Sequence, residues 1–459
     1  MTPNHIASIL AVCAATTLIP RSGEMIAATI GADGGHLAAT QRIRADAIDT
    51  VRPAAPSDDG RLIAFAARNG ESSQRYCCEH VYVLDRSTGL IIQESVRPDG
   101  TPGNGDSQFP SLSADGHIIA FETIASNLGS GHSPATPRRV VVRNRQSGAL
   151  RTPMNQIGRA LDGESGEPAM SGNGLIVAFT SDATNLVPGP DANGRQNDIY
   201  LWRLDDSTIT RISVDGNGVQ LPIGASHAAS VSRDGNLVAF VSTARFAPED
   251  TNDVADVYLR DVRRGMTSLV SRGAVGKPSD GASHSPALSA DGHYVAFVST
   301  AHNLGPRDRN QQSDVFVYDV EAQAMILVSA TSKGEGANAD SRHPALSADG
   351  RYVVYQSVAS NLGSGSGCPR TPRDTNLLPD VYLFDRATRC VTRISGSTTQ
   401  EWWTPSVAPA IDGTGSLVVF SSTQPVGEDD VSTDFDLFLF LRPGRETSTH
   451  GQERLVRAR

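Results

Sequence analysis

Apolar and polar residues alternate along this chain in short runs broken by turn residues, and one such arrangement returns seven times. It is clearest from Ser285 to Ser299 (SPALSADGHYVAFVS), with a near copy from His343 to Ser357 (HPALSADGRYVVYQS). Further copies run from Phe109 to Glu122, Pro168 to Ser181 and Ala229 to Ser242, and weaker ones from Ala54 to Ala66 and Pro409 to Ser422. Each phrase reads as a hairpin, because Asp-Gly or Asn-Gly between two β-prone runs supplies the positive φ of a tight turn. The second run, as in Tyr294 to Val298, is apolar on both faces, which suits a sheet sandwiched between neighbours.

The turn glycines are Gly60, Gly116, Gly174, Gly235, Gly292, Gly350 and Gly415, spaced 56, 58, 61, 57, 58 and 65 residues apart. A third strand opening with Asp follows in the later repeats: Asp198 to Trp202, Asp256 to Arg260, Asp314 to Tyr318, Asp380 to Phe384 and Asp436 to Phe440. A fourth ends in Val-Ser or Ile-Ser, at Ser213, Ser271, Ser329 and Ser395. Four strands in each of seven repeats predict an all-β fold, a single seven-bladed β-propeller of four-stranded antiparallel blades. No segment keeps a 3.6-residue apolar period, which excludes helical repeats. A strand from one terminus must complete the ring. Thr40 to Arg44 lies at the right spacing to pair with the last blade, and Arg454 to Arg457 is the alternative.

The phrase P-x-L-S-A-D-G-x-x-V-A-F-x-S resembles the PD40 (WD40-like) repeat of TolB-type bacterial propellers, and it covers roughly residues 41 to 442. The resemblance implies a periplasmic or secreted binding or scaffold module, although such blades also serve as accessory domains of peptidases. TolB carries a small α/β domain before its propeller. The 40 residues ahead of the first repeat are too few for one, so TolB's partners are not carried over. The expected organisation is a candidate export signal and linker over 1–36, the propeller over 37–445 and a tail over 446–459.

Composition agrees with many short strands: of 459 residues 43 are Gly and 26 Pro, with aromatics only 5%. The formal charge of −10, with 40 scattered basic residues, argues against a nucleic-acid partner. No run of 18 apolar residues predicts a membrane span. Ile6 to Ile19 has the length of a signal-peptide core, and Leu10-Ala11-Val12-Cys13 resembles a lipoprotein cleavage box. No basic residue precedes that stretch, and Val12 stands where the box has a small residue, so the N-terminus fits either an export signal or none. Of five cysteines, Cys368 and Cys390 share a repeat and would bridge in an oxidising compartment, or remain thiols otherwise.

The long loops before the third strand repeat Asp-x-Asn ahead of the strand-opening Asp. The sets are Asp191, Asn193, Asp198; Asp250, Asn252, Asp256; Asp308, Asn310, Asp314; and Asp374, Asn376, Asp380. Such oxygens on a loop suit calcium. They equally suit turn capping by side-chain to backbone bonds. At the channel mouth, His227 and His284 share a repeat position and His343 falls one residue later, a set able to line a ligand or metal site. Asp106-Ser107 and Asp340-Ser341 precede their inner strands, where they would meet a ligand or satisfy the chain crossing between blades. Trp402 and Trp403 would stack on a ligand or pack over the closure seam. No catalytic signature is present: there is no G-x-S-x-G elbow or H-E-x-x-H pair, and Gly273 to Lys277 is too short for a phosphate loop. The resulting expectation is a non-catalytic monomer that binds a protein or envelope component through one face. The rival expectations are a propeller hydrolase acting on a lactone or glycan, and a calcium-stiffened adhesive module.

Overall fold

The computed structural model describes residues 53–68, 78–129, 137–273, 277–305, 310, 312–363, 368–369, 374–395, 402–424 and 435–442. It also describes the backbone of three strands, Thr29–Ile30, Leu37–Ala38 and Arg454–Ala458. No helix occurs among the described residues, and seven four-stranded antiparallel sheets follow one another as the blades of a propeller. Blade 5 shows the plan: an inner strand Ser283–Leu288, a second Tyr294–Ser299, a third Asp314–Asp319 and an outer Ala324–Leu327, paired in chain order. Every turn glycine of the repeated phrase has positive φ.

The second strands explain why blades need neighbours. In blade 5, Val295 and Phe297 pack towards blade 4, while Ala296 and Val298 pack towards blade 6. The two-residue period of a strand sends alternate side chains to opposite faces, and here both faces are dry. The seven apolar clusters of the molecule are accordingly the seven seams between adjacent blades.

The hairpin turns make a second ring nearer the axis. Backbone hydrogen bonds of 2.8 to 3.2 Å link each turn to the next: Asp58 to Ala114, Ala114 to Gly172, Asn173 to Arg233, Arg233 to Ala290, Asp291 to Ala348 and Ala348 to Gly413. The last, from Thr414 N to Asp58 O, returns to the first blade. Gly292 shows why glycine is needed there. Its φ is +79°, and a Cβ on it would come within 2.5 Å of Leu237 on the preceding blade.

Closure differs from the first expectation. The outer-strand place of blade 7 is filled by Arg454–Ala458, which pairs with Asp436–Leu441 from Leu437↔Ala458 to Leu441↔Arg454. Thr40 to Arg44 lies outside the described residues, and the edge it was expected to occupy is taken by the C-terminal alternative. Among the described residues, all four strands of blade 7 come from the C-terminal part of the chain. Side chains seal the seam of blades 7 and 1, with Leu417, Val419 and Leu439 packed on Ile63, Phe65, Tyr82 and Leu84.

Cys368 and Cys390 form a disulfide that ties the long loop of blade 6 to the start of its outer strand. Replacing both by Ser is expected to lower stability by about 2–4 kcal/mol in denaturant unfolding, the usual size for a loop of this order. Gly292→Ala combines a left-handed backbone with a steric clash and is expected to cost clearly more than Gly100→Ala. Gly100 shares the positive φ, but nothing lies within 4 Å of its added methyl. The left-handed term alone is about 1–2 kcal/mol, and the midpoint difference between the two variants measures the clash.

Candidate functional site at the channel mouth

The inner strands carry a feature that the repeated phrase only hinted at. In blades 2 to 7 each has a bulge, seen in blade 5 as a register slip between His284 and Ala287. The residue at the bulge has positive φ without being glycine: Phe109, Glu167, Ala228, Ser285, His343 and Ala408. In every blade but the fourth the next residue is the Pro of the phrase. Proline cannot donate to a ladder, so an inner strand accommodates it at a bulge. The bulged backbone is held from the neighbouring blade. Glu122 Oε2 accepts from Glu167 N (3.1 Å), Glu167 Oε2 from Ala228 N (3.0 Å) and Gln356 Oε1 from Ala408 N (2.9 Å).

Titratable side chains gather around these bulges. Blades 4 to 6 bring together His227, His284, Arg342 and His343. Burial is the main cause that lowers the pKa of His284 below the ordinary 6.5, and the guanidinium of Arg342 lowers it further, as do His343 and His227 once protonated. His343 is likewise lowered, first by burial and also by Arg342, against a hydrogen bond from its ring to the Gln356 side chain that raises it. Ser285 Oγ lies 3.1 Å from His284 Nδ1. Arg342 is half exposed and reaches Asp340 at 2.8 Å. Blades 1 to 3 supply Glu79, Glu122 and Glu167, with Gln108 Nε2 donating to Glu79 Oε2 at 2.6 Å. Arg138 stands beside Glu122 at Gly166, so it is the cluster of imidazoles around Arg342 that a sevenfold repeat alone would not produce.

The opposite, turn-side end of the channel is bridged. The residue two places before each turn glycine is Asp58, Ala114, Gly172, Arg233, Ala290, Ala348 or Gly413. Five of these are small, and the two charged ones form an ion pair across the ring, Arg233 of blade 4 with Asp58 of blade 1. Gly172 leaves room for Arg233, since its Cβ would stand 3.0 Å from that side chain, and Gly413 does the same for Asp58 at 2.7 Å.

The three imidazoles singled out by spacing therefore share one neighbourhood, and Arg342 joins them. Arg342 was legible in principle: it pairs with Gln356 as His284 pairs with Val298, so it occupies the same repeat position as His284. Among the described residues, no group of three or more His, Cys, Asp or Glu is placed to hold a metal ion. Asp106 and Asp340 serve the chain crossings, accepting from Glu79 N (2.8 Å) and Ser313 N (2.9 Å), while Ser341 pairs with Ser357. Trp402 packs against Phe438 and Phe420 in the seam between blades 6 and 7, one seam away from the closure it was expected to cover. Trp403 is exposed.

The Asp-x-Asn loops are bound together by protein donors. Each strand-opening Asp is buried and accepts the hydroxyl of the Ser that ends the outer strand: Ser213 to Asp198, Ser271 to Asp256, Ser329 to Asp314 and Ser395 to Asp380, at 2.5 to 2.6 Å. The Asn amide donates sideways, from Asn252 to Asp256 (2.8 Å), Asn310 to Asp314 (2.7 Å) and Asn376 to Trp402 O (2.5 Å). In blade 3, Gln220 Nε2 bridges Asp191, Asn193 and Asp198. Asp308 lies outside the described residues.

Comparison with known proteins places the chain by architecture. No protein-family model matches it, and no curated protein matches it. Among solved structures, an oligogalacturonate lyase in complex with manganese is 15% identical with a TM-score of 0.51, over 85% of this chain and 90% of that one. An oligogalacturonate lyase from Vibrio parahaemolyticus is 12% identical at the same score, over 84% and 89%. TolB from Acinetobacter baumannii is 17% identical with a TM-score of 0.41, and this chain, covered over 73%, spans 64% of that one. The likeness is one of fold. It agrees with the TolB-like blade phrase, whose implied propeller is the fold observed.

Burial pushes the carboxyls of Asp198 and Asp380 up to about 6, against the hydrogen bonds from Ser213 and Ser395 and the guanidinium groups of Arg211 and Arg393. A carboxyl raised in the folded state favours folding as it takes up a proton. Both groups should therefore add stability as pH falls from about 6 towards 4, a rise visible in unfolding midpoints if other carboxylates are held constant by comparison with Asp198→Asn and Asp380→Asn. Arg393→Leu would leave Asp380 buried beside Ser395 without its ion pair of 3.1 Å. Loss of about 3–5 kcal/mol at pH 7.5, partly recovered at pH 5, is the expected outcome in the same measurement.

Proposed function

We propose that this chain is a non-catalytic, TolB-like binding propeller that takes an anionic group of an envelope or extracellular component at the loop-side mouth of its channel. The observation that carries this reading is the convergence of Arg342 with His227, His284 and His343 on one side of the mouth. A guanidinium presents a planar fork suited to carboxylate or phosphate, and the half-buried His227 and His284 with the exposed His343 add donors and, on acidification, charge. The Arg233–Asp58 bridge at the far end supports entry and exit from the loop side. The Cys368–Cys390 disulfide supports an oxidising setting, periplasmic or secreted. Among the described residues no helix is long and apolar enough to cross a membrane.

A galacturonate trimer is a suitable first probe, being a small carboxylate-bearing ligand of the class named for the neighbouring lyases. Titration calorimetry should show binding that tightens from pH 7.5 to about pH 5, because His284 and His343 have pKa values below the ordinary 6.5 and gain protons as pH falls. Arg342→Ala should weaken it at least tenfold at both pH values. Incubation with the trimer, with and without Mn²⁺, should leave it intact. Appearance of an unsaturated product would overturn the non-catalytic reading in favour of a lyase, and failure of several anions to bind would remove the mouth as a site.

A further inference from the structure

The outer strands differ from blade to blade at one position that faces the Asp-x-Asn loops. Arg211 pairs with Tyr200 in blade 3, Arg393 with Tyr382 in blade 6, and Leu269 with Tyr258 in blade 4, so the three are equivalent. In blade 3 the guanidinium of Arg211 stands 3.5 Å from Asp191 and 3.4 Å from Asp198. In blade 6, Arg393 is 3.1 Å from Asp380. Blade 4 keeps the two acids, Asp250 and Asp256, and replaces the cation with leucine.

Both acids are buried, Asp250 with 5% of its surface exposed and Asp256 with none. Asp256 is fully engaged: Ser271 and Ser279 donate to Oδ1 and Asn252 donates to Oδ2. Asp250 accepts the hydroxyl of Tyr258 on Oδ2, while its Oδ1 is buried with no hydrogen-bond partner. The negative charges of the two bear on each other. Arg245, the cation whose charge reaches Asp250, gives its guanidinium to Asn252 O and Asp253. A buried carboxylate oxygen without a donor, beside a second buried carboxylate, is costly unless a positive charge completes it.

We propose that blade 4 binds a calcium ion at Asp250 and Asp256, which does there what the guanidinium of Arg211 does in blade 3. The ligands at hand are the carboxylate oxygens of Asp250 and Asp256, led by the unpaired Asp250 Oδ1, with the hydroxyl oxygen of Ser279 beside them, an all-oxygen set that suits a hard cation of flexible coordination and offers nothing to a softer metal. With only two carboxylates the affinity belongs in the range of extracellular calcium modules, about 0.1–1 mM. The site is independent of the channel mouth, and the loops of blades 3 and 6 carry their cation covalently.

The test uses the full chain stripped with EDTA. Thermal unfolding should rise by about 2 °C or more on addition of 10 mM CaCl2, and not with the same concentration of MgCl2. Tb³⁺ should show luminescence on tyrosine excitation, since Tyr258 is bonded to Asp250. Asp250→Asn should abolish both signals. Leu269→Arg should raise the midpoint without calcium and remove the response to it. No calcium shift and no terbium signal in the natural sequence would overturn the proposal. So would an equal response to magnesium, or a response retained by Asp250→Asn. If Leu269→Arg fails to fold, the Asp250→Asn and terbium measurements decide alone.

Discussion

The constraint on which this structure depends is that its blades have no wet face. The second strand of each is apolar on both sides, so a blade is stable only between two others. An open row would leave one apolar face bare at each end, and only a ring removes both ends. Closure must then bear the same load as any other seam. The packing of Leu417, Val419 and Leu439 on the first blade supplies the apolar part. The ring of turn hydrogen bonds, completed by Thr414 to Asp58, supplies the polar part.

The same sevenfold frame explains how an asymmetric site arises. Backbone positions are fixed by the repeat, so each blade offers equivalent side chains to the channel, and function enters where equivalent positions differ. At the mouth, His227, His284 and Arg342 occupy one position where other blades have Gln108, Gly166 or Val407. At the turn end, two charged residues among five small ones close the ring with an ion pair. In the peripheral loops, an arginine in some blades and a leucine in another changes how buried carboxylates are balanced. Each case is a local substitution on a common backbone.

Some of this was open to reading along the chain. Asp-Gly turns, two-faced apolar strands and a period near 58 residues are local signals, because turn φ and side-chain alternation depend on neighbours in sequence. They yielded the blade count, the strand order and the seven hairpins. The pairing of Cys368 with Cys390 was also visible as an alternative, since both lie in one repeat. The bulges were less visible: proline inside the inner strand was the signal, and its consequence, a left-handed residue at the register slip, needed the register to be known.

What only the tertiary structure decided involves residues far apart in sequence or environments set by burial. Whether Thr40 to Arg44 or Arg454 to Ala458 closes blade 7 could not be settled from pattern, because a peripheral strand is half exposed and its sequence is weakly constrained. The convergence of His227, His284, Arg342 and His343 depends on blades being folded side by side around an axis. The Asp-x-Asn loops looked alike in sequence, and only their partners in space, arginine in blades 3 and 6 and leucine in blade 4, made them electrostatically different. Sequence alone determined the repeating backbone, through turn geometry and two-residue periodicity. The fold determined the chemistry, because charge, burial and proximity are properties of what packs against a residue and not of what precedes it.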